Sequence, residues 1–279
     1  MPELPEVETI ARGLAQSLTG DVIESVWLGS KPEPLKSPPG EIVSTLEQAR
    51  IASVRRVGKH IVVDLSRVSR SRSPVAGRQK KQAQWIVHLG MTGRLLIAQP
   101  DVAVAKHTHA ILRLRSGREL RFVDPRRFGR LAVVRHGFEA PGSEPLDVGV
   151  ESFAGLFRKR KTPIKSALLN QSLLSGIGNI YADESLFRAG VRPRRRAASL
   201  TRAELQRLYG AVREVLNEAI AAGGSSVSDY VDANGDAGFF QFQHRVYGRE
   251  GEPCLVCRTP IKRIVIAGRS AHYCPKCQK

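Results

Sequence analysis

The chain of 279 residues is poor in aromatic side chains, at 6%, and contains only two tryptophans. It has no cluster of stacking rings of the kind that single-strand and RNA-binding modules use, which counts against that class of partner. No run of about 18 apolar residues occurs, so no transmembrane helix is expected. The first residues are acidic and amphipathic, without the basic start and apolar stretch of a secretory signal, so a cytoplasmic location is the expectation. Cysteine is absent until position 254, and the four that exist fall within the last 26 residues. That distribution excludes a disulfide framework and favours a local metal site. Acidic residues are in deficit, with 26 Asp and Glu against 44 Lys and Arg, for a formal net charge of +18. Such an excess calls for a polyanionic partner, nucleic acid before acidic membrane. There is no internal repeat of solenoid length.

What is present divides by periodicity. Val7, Ile10, Leu14 and Leu18 share one helical face, with Pro5 suited to the first turn. From there to about residue 135 the pattern is mostly strands. Ile61, Val63 and Leu65 alternate, and Ile86, Val87 and Leu89 form a short apolar run. Ile111 to Val123 makes a hairpin turning at Ser116-Gly117. One face of that hairpin is apolar and the other is largely arginine, either a solvated face or a DNA-facing one. Residues 66–84 are basic, rich in serine and breakers, and read as a mobile loop, a tolerated insertion or a source of nonspecific DNA affinity. Pro141 to Pro145 reads as a linker, and helices follow. Thr201 and Glu204 form a capping box ahead of a wide apolar stripe from Leu205 to Ile220, which Gly223-Gly224 ends.

Two features carry chemistry. Loss of Met1 would leave a secondary amine on Pro2 beside the carboxylate of Glu3. An α-amine has a reference pKa of ~7.7–8.0 against ~10.4 for lysine, so its uncharged fraction at neutral pH is far larger. A nearby helix N-terminus disfavours the ammonium slightly more. Such an amine attacks an electrophilic carbon and leaves an imine; the alternative is an ordinary helix start. At the other end, Cys254-x-x-Cys257 and Cys274-x-x-Cys277 lie 16 residues apart and bracket a β-prone stretch. Two such pairs suit tetrahedral thiolate ligation of one structural Zn2+, with no open position for catalysis. Gly176-Ile177-Gly178-Asn179, between two helical segments, is either a helix–helix turn or a phosphate cradle at a helix start.

The opening Pro2-Glu3-Leu4-Pro5-Glu6-Val7-Glu8-Thr9 resembles that of bacterial formamidopyrimidine-DNA glycosylases. The resemblance continues, in the family's order, through His88-Leu89-Gly90-Met91-Thr92-Gly93 and Asp124-Pro125-Arg126-Arg127-Phe128-Gly129. It ends with Gly176 to Glu184 and the four cysteines. The sister family, endonuclease VIII, differs after the shared Pro-Glu.

The resemblance implies an α+β chain. An N-terminal helix and β-sandwich would occupy 1–140, a helical helix-two-turn-helix domain 141–240, and a zinc ribbon 241–279, with damaged double-stranded DNA bound between the parts. It implies a monomeric base-excision repair enzyme that removes 8-oxoguanine and formamidopyrimidines and cleaves the strand at the abasic site. Pro2 would be the nucleophile, Glu3 the proton shuttle and Glu6 a supporting carboxylate. Lys59, His88, Asn179 and Arg269 would hold phosphates near the lesion, and Met91, Arg126 and Phe128 would fill the hole left by the flipped base. Filling that hole offsets an unstacking cost of a few kcal/mol. Gly223 to Tyr230 resembles the loop over the flipped lesion. Two other classes stand beside this reading: a non-catalytic zinc-ribbon DNA-binding paralogue, and an RNA-binding protein.

Overall fold

The first helix, α1 (Leu4–Leu18), forms where the apolar spacing predicts it, and Val7, Ile10, Ala11, Leu14 and Leu18 are all buried. The computed structural model describes residues 1–67, 83–135, 137–227 and 229–279. The basic stretch expected at 66–84 therefore lies outside the described residues except for its ends, which belong to strands.

Contacts divide the chain into two compact units. One comprises residues 1–2, 6–139 and 226–238, and the other 3–5, 140–225 and 239–279. This differs from a division at 140 and 240 in three respects, the first being that residues 3–5 fall in the second unit. Residues 226–238 belong with the N-terminal part, and the cysteine-bearing end belongs with the helices.

The first unit has β1 (Ile23–Leu28), α2 (Pro39–Leu46), β2 (Ala49–Val57), β3 (His60–Arg67), β4 (Ala83–His88), β5 (Arg94–Ala98), β6 (Thr108–Leu114), β7 (Glu119–Val123) and β8 (Arg130–Val134). They make two antiparallel four-stranded sheets, ordered β2-β3-β4-β8 and β1-β6-β7-β5. Ile61, Val63, Leu65, Trp85 and Val87 from one sheet share a core with Leu95, Leu112, Leu120 and Phe122 from the other, and α1 adds its apolar stripe. The hairpin turns at Ser116-Gly117, with Gly117 at φ +85°.

The arginine face of that hairpin is more divided than the sequence suggests. Arg113 is exposed, but Arg121 is only 4% exposed. Its guanidinium meets Glu119 at 2.7 Å and donates to the carbonyls of Val102 (2.8 Å) and Ala103 (3.2 Å). Arg121 is thus an internal strap for the 99–103 loop, unavailable to solvent or DNA.

The second unit holds α3 (Val150–Phe157), α4 (Ile164–Leu168), α5 (Asn179–Ala189) and α6 (Arg202–Ala221), then β9 (Lys262–Ile266) and β10 (Arg269–Tyr273). The Thr201–Glu204 capping box forms as expected, with each residue bonding the other's backbone. α5 is buried on most of its surface and carries two consecutive buried acids, Asp183 and Glu184. Buried carboxylates need donors. Glu184 accepts the backbone N–H groups of Arg245, Val246 and Tyr247 at 2.8–3.0 Å, and burial still pushes its carboxyl above the ordinary range. Asp183 takes the ammonium of Lys165 at 2.6 Å, with both side chains fully buried. Burial draws the Lys165 ammonium below the usual lysine range, and Asp183 opposes that shift. Lys165 also donates to the Ser270 carbonyl, while the second Asp183 oxygen accepts the His272 amide at 2.9 Å. The β9–β10 ribbon is therefore bolted to α4 and α5 through charges that have no other outlet.

Removing one member of a buried ion pair strands the other, at a typical cost of ~3–5 kcal/mol. Lys165→Met is expected to lower unfolding free energy by about that amount, and adding Asp183→Leu to recover much of it. Urea denaturation of the two variants checks this, and a neutral Lys165→Met would mean the pair contributes nothing.

Candidate functional site

Glu3 is the best-defined expected residue in the second unit. It is 4% exposed, and its carboxylate sits at the start of α5, accepting the amides of Ile180 (3.2 Å) and Tyr181 (3.5 Å). Those amides are among the donors a helix leaves unpaired at its first turn, and the helix dipole favours an anion there. The glycine string makes room for it. A Cβ on Gly178 would lie 2.2 Å from Glu3 Cδ, and one on Gly176, at φ +101°, 2.9 Å from Leu4 Cβ. Leu4 N–H donates to the Gly176 carbonyl at 3.0 Å. The turn that could have cradled a phosphate therefore receives the N-terminal segment of this chain. Pro2, peptide-bonded to Glu3, is buried while Met1 is present. Glu6 is 2% exposed, and its carbonyl accepts the Tyr230 hydroxyl at 3.4 Å.

Asn179 and Arg269 lie near each other in the chain's contacts: Asn179 Nδ2 donates to Ser270 Oγ at 3.1 Å, and Arg269 is exposed at the start of β10. The Asn179 Oδ1 is buried and has no hydrogen-bond partner among the described residues. The Sγ atoms of Cys254, Cys257, Cys274 and Cys277 all lie within 4.8 Å of one another. Tetrahedral ligation with Zn–S bonds of ~2.3 Å requires S···S separations of roughly 3.8 Å. Cys254–Cys277 at 3.9 Å and Cys257–Cys274 at 3.4 Å fit that size. A small cluster of Val246, Cys254, Ile261 and Cys274 is buried in the ribbon, with Phe187 of α5 packed on it.

In the first unit, Lys59 is buried at 9% exposure, where a lysine opening a strand would ordinarily be on the surface. Beside it, β3 and β4 pair His60 with His88, ring centroids 4.9 Å apart. Gly90 N–H donates to His88 Nδ1 at 3.2 Å, so a neutral His88 carries its proton on Nε2. Burial, then the neighbouring His60, Arg130 and Lys59, push its pKa down to about 4. His88 is therefore a neutral Nε2–H donor at physiological pH, suited to a phosphate oxygen. Met91 (42% exposed) and Phe128 (52%) stand out of the core, and the Arg126 guanidinium lies 4.8 Å over the Phe128 ring. Apolar residues at such positions are more often core; here they are surface. Of the 223–230 stretch, Ser228 lies outside the described residues, and Tyr230 packs against the core of the first unit.

Lys262, Arg263, Arg269 and His272 read in the sequence as a basic decoration of the ribbon suited to phosphate contact, but His272 is 7% exposed and its Nδ1 lies 3.3 Å from Asp183. Lys165 and the roles of Thr92 and Asp124 were not legible. Asp183 and Glu184 stood inside a quoted motif, and two adjacent acids within a helix were the only available signal. Nothing local marks Lys165, whose burial is a product of packing.

A glycine-bounded turn leads into α5, and four thiols lie close enough together to hold one metal ion. Family models agree along the chain: the formamidopyrimidine-DNA glycosylase N-terminal domain matches residues 1–131, its H2TH domain 140–231, and a zinc finger found in FPG and IleRS 251–279. A formamidopyrimidine-DNA glycosylase from Solibacter usitatus is 45% identical over the full length of both chains. The MutM (Fpg) protein of Thermus thermophilus superposes with a TM-score of 0.83 at 41% identity, covering 99% of this chain and 98% of that one. A Lactococcus lactis Fpg mutant in complex with Fapy-dG containing DNA gives 0.87 at 30% identity, with full coverage of both. The chain belongs to the formamidopyrimidine-DNA glycosylase family. No helix among the described residues is long and apolar enough to cross a membrane.

Cys257→Ser should lower bound metal and duplex affinity together. Arg269→Ala should weaken affinity with metal retained and reduce the salt slope by about 1. Metal analysis alongside binding at several salt concentrations checks both. Full metal occupancy in Cys257→Ser, or unchanged affinity in Arg269→Ala, would refute these assignments.

Proposed function

We propose that this chain excises 8-oxoguanine and ring-opened formamidopyrimidines from double-stranded DNA, as a monomer, and then cleaves the strand at the resulting abasic site. The observation that carries the reading is Glu3, a buried carboxylate held by the first amides of α5 and directly following Pro2. After loss of Met1, the Pro2 nitrogen bonds to deoxyribose C1′ as the bond from C1′ to the base breaks, and the departing base takes up a proton. Glu3 handles protons at this centre, with Glu6 in support. The Pro2 nitrogen gives up its proton to Glu3, O4′ takes one from Glu3, and the C1′–O4′ bond breaks as the sugar opens to an iminium, which acidifies the C2′ hydrogen. Loss of that proton expels the 3′ phosphate; a second elimination expels the 5′ phosphate, and water releases the amine.

Three further features support the reading. Met91, Phe128 and the Arg126 guanidinium form an exposed apolar and cationic edge suited to a vacated stack and its orphaned base. Lys59, His88, Asn179 and Arg269 supply cationic and hydrogen-bonding groups suited to phosphate oxygens. One Zn2+ at the four thiolates would hold the ribbon, and with four protein ligands it has no open position for water.

Borohydride reduction in the presence of an 8-oxoguanine duplex is expected to trap the imine, and mass spectrometry of the digested complex to locate it on Pro2. An adduct on Lys59, or on any other lysine with Pro2 unmodified, would overturn the mechanism. Glu3→Gln is expected to cut single-turnover base excision by a factor on the order of 10²–10⁴ while duplex affinity holds. Equal loss of binding and excision would make Glu3 a structural residue.

A further inference from the structure

The two turns that carry the exposed edge are neighbours because of sheet pairing. The turn 89–93 leaves β4 in one sheet and enters β5 in the other. The turn 124–129 leaves β7, the partner of β5, and enters β8, the partner of β4. The last pairs on either side, His88 with Arg130 and Arg94 with Val123, set the two turns side by side. They are also pressed together: a Cβ on Gly90, at φ +64°, would lie 2.5 Å from the Phe128 carbonyl carbon.

Asp124 joins them. Its side chain is fully buried and accepts three hydrogen bonds. Gly129 N–H donates at 2.7 Å and Arg126 N–H at 3.3 Å, both from its own turn. The third donor is the Thr92 hydroxyl at 2.6 Å, from the other turn and next to Met91. Its carbonyl accepts from His109 Nε2 at 2.9 Å, which anchors the hub to β6. A buried carboxylate with three donors of fixed direction tolerates little movement of any of them.

We propose that Asp124 and Thr92 are positioning residues that lock the Met91 turn to the Arg126–Phe128 turn, so that the three side chains enter the DNA stack as one rigid wedge. The proposal rests on the reading of Met91, Arg126 and Phe128 as that wedge. Separately hinged side chains would each lose conformational freedom on insertion, whereas a locked set has lost it on folding. Asp124 and Thr92 themselves touch no DNA in this scheme.

The test uses the full-length protein and a duplex with 2-aminopurine beside 8-oxoguanine, whose fluorescence rises when the stack is opened. Thr92→Val removes the link while keeping side-chain volume, and Thr92→Ser keeps the hydroxyl. Thr92→Val is expected to slow single-turnover excision from duplex by about tenfold and to shrink the fluorescence step. Cleavage at a preformed abasic site in single-stranded DNA, where there is no stack to open, should remain at the wild-type rate. Thr92→Ser should restore both duplex readouts. Met91→Ala and Phe128→Ala provide the reference for a lost wedge. Should those two lose the fluorescence step while Thr92→Val keeps it, the coupling is refuted and the wedge reading stands. If they too keep it, the wedge reading itself fails and the coupling with it. An equal loss of duplex and single-strand cleavage in Thr92→Val would also refute the proposal, since it would report general damage to the fold.

Discussion

The chemistry proposed for this protein depends on one constraint: a carboxylate two residues after Met1 must be buried and still be satisfied. Water cannot serve Glu3 at 4% exposure, so protein donors must. The first turn of α5 provides them, because a helix cannot use its own leading N–H groups. The glycines at 176 and 178 follow from this requirement. A side chain at 178 would occupy the space of the Glu3 carboxylate, and one at 176 that of Leu4. The same helix then accepts the ribbon through Asp183 and the 245–247 segment through Glu184. The carboxylate proposed for proton transfer, the ribbon and Asn179 are thus referred to a single rigid element.

Buried charge recurs as the means of fixing position. Lys165–Asp183, Asp124 with its three donors, and Arg121 across the 99–103 loop are each polar groups in apolar surroundings. Such groups add little net stability compared with apolar packing, yet each is costly to disturb, since the remaining partner is left unpaired. That asymmetry favours one arrangement over near alternatives. It suits the roles proposed for the exposed residues Arg269 at the ribbon and Met91, Arg126 and Phe128 on the neighbouring turns, each of which depends on direction.

His88 gives a further case in which environment sets chemistry. A histidine beside a lysine, an arginine and another histidine, and largely withdrawn from water, loses its proton readily. The Gly90 amide then selects the tautomer. The cost of bringing another positive charge into this pocket is avoided, and a directional donor is kept.

The sequence by itself determined α1 and α6, the strands β3, β4, β6 and β7, the hairpin turn at Ser116-Gly117, the capping box at Thr201, the four-cysteine knuckle and the family, but not α2, which lies in a stretch that reads as strands. These depend on periodicity, on turn and cap chemistry, and on short ordered strings, all of which are local. Pro2 and Glu3 stood out as candidates for the same reason, as did the string around Met91 once the family was recognised. Only the tertiary structure decided which polar residues are buried and with whom. Arg121 reads like its exposed neighbour Arg113, and Lys165 like any helical lysine; their partners lie at Val102 and Ala103, and at Asp183 and Ser270. The glycine turn at 176–178 reads as a helix–helix turn or a phosphate cradle, and only folding showed that Glu3 and Leu4 pack against it. Burial and pairing depend on which distant segments meet, and that information is carried by the packing of the whole chain, not by any short stretch of it.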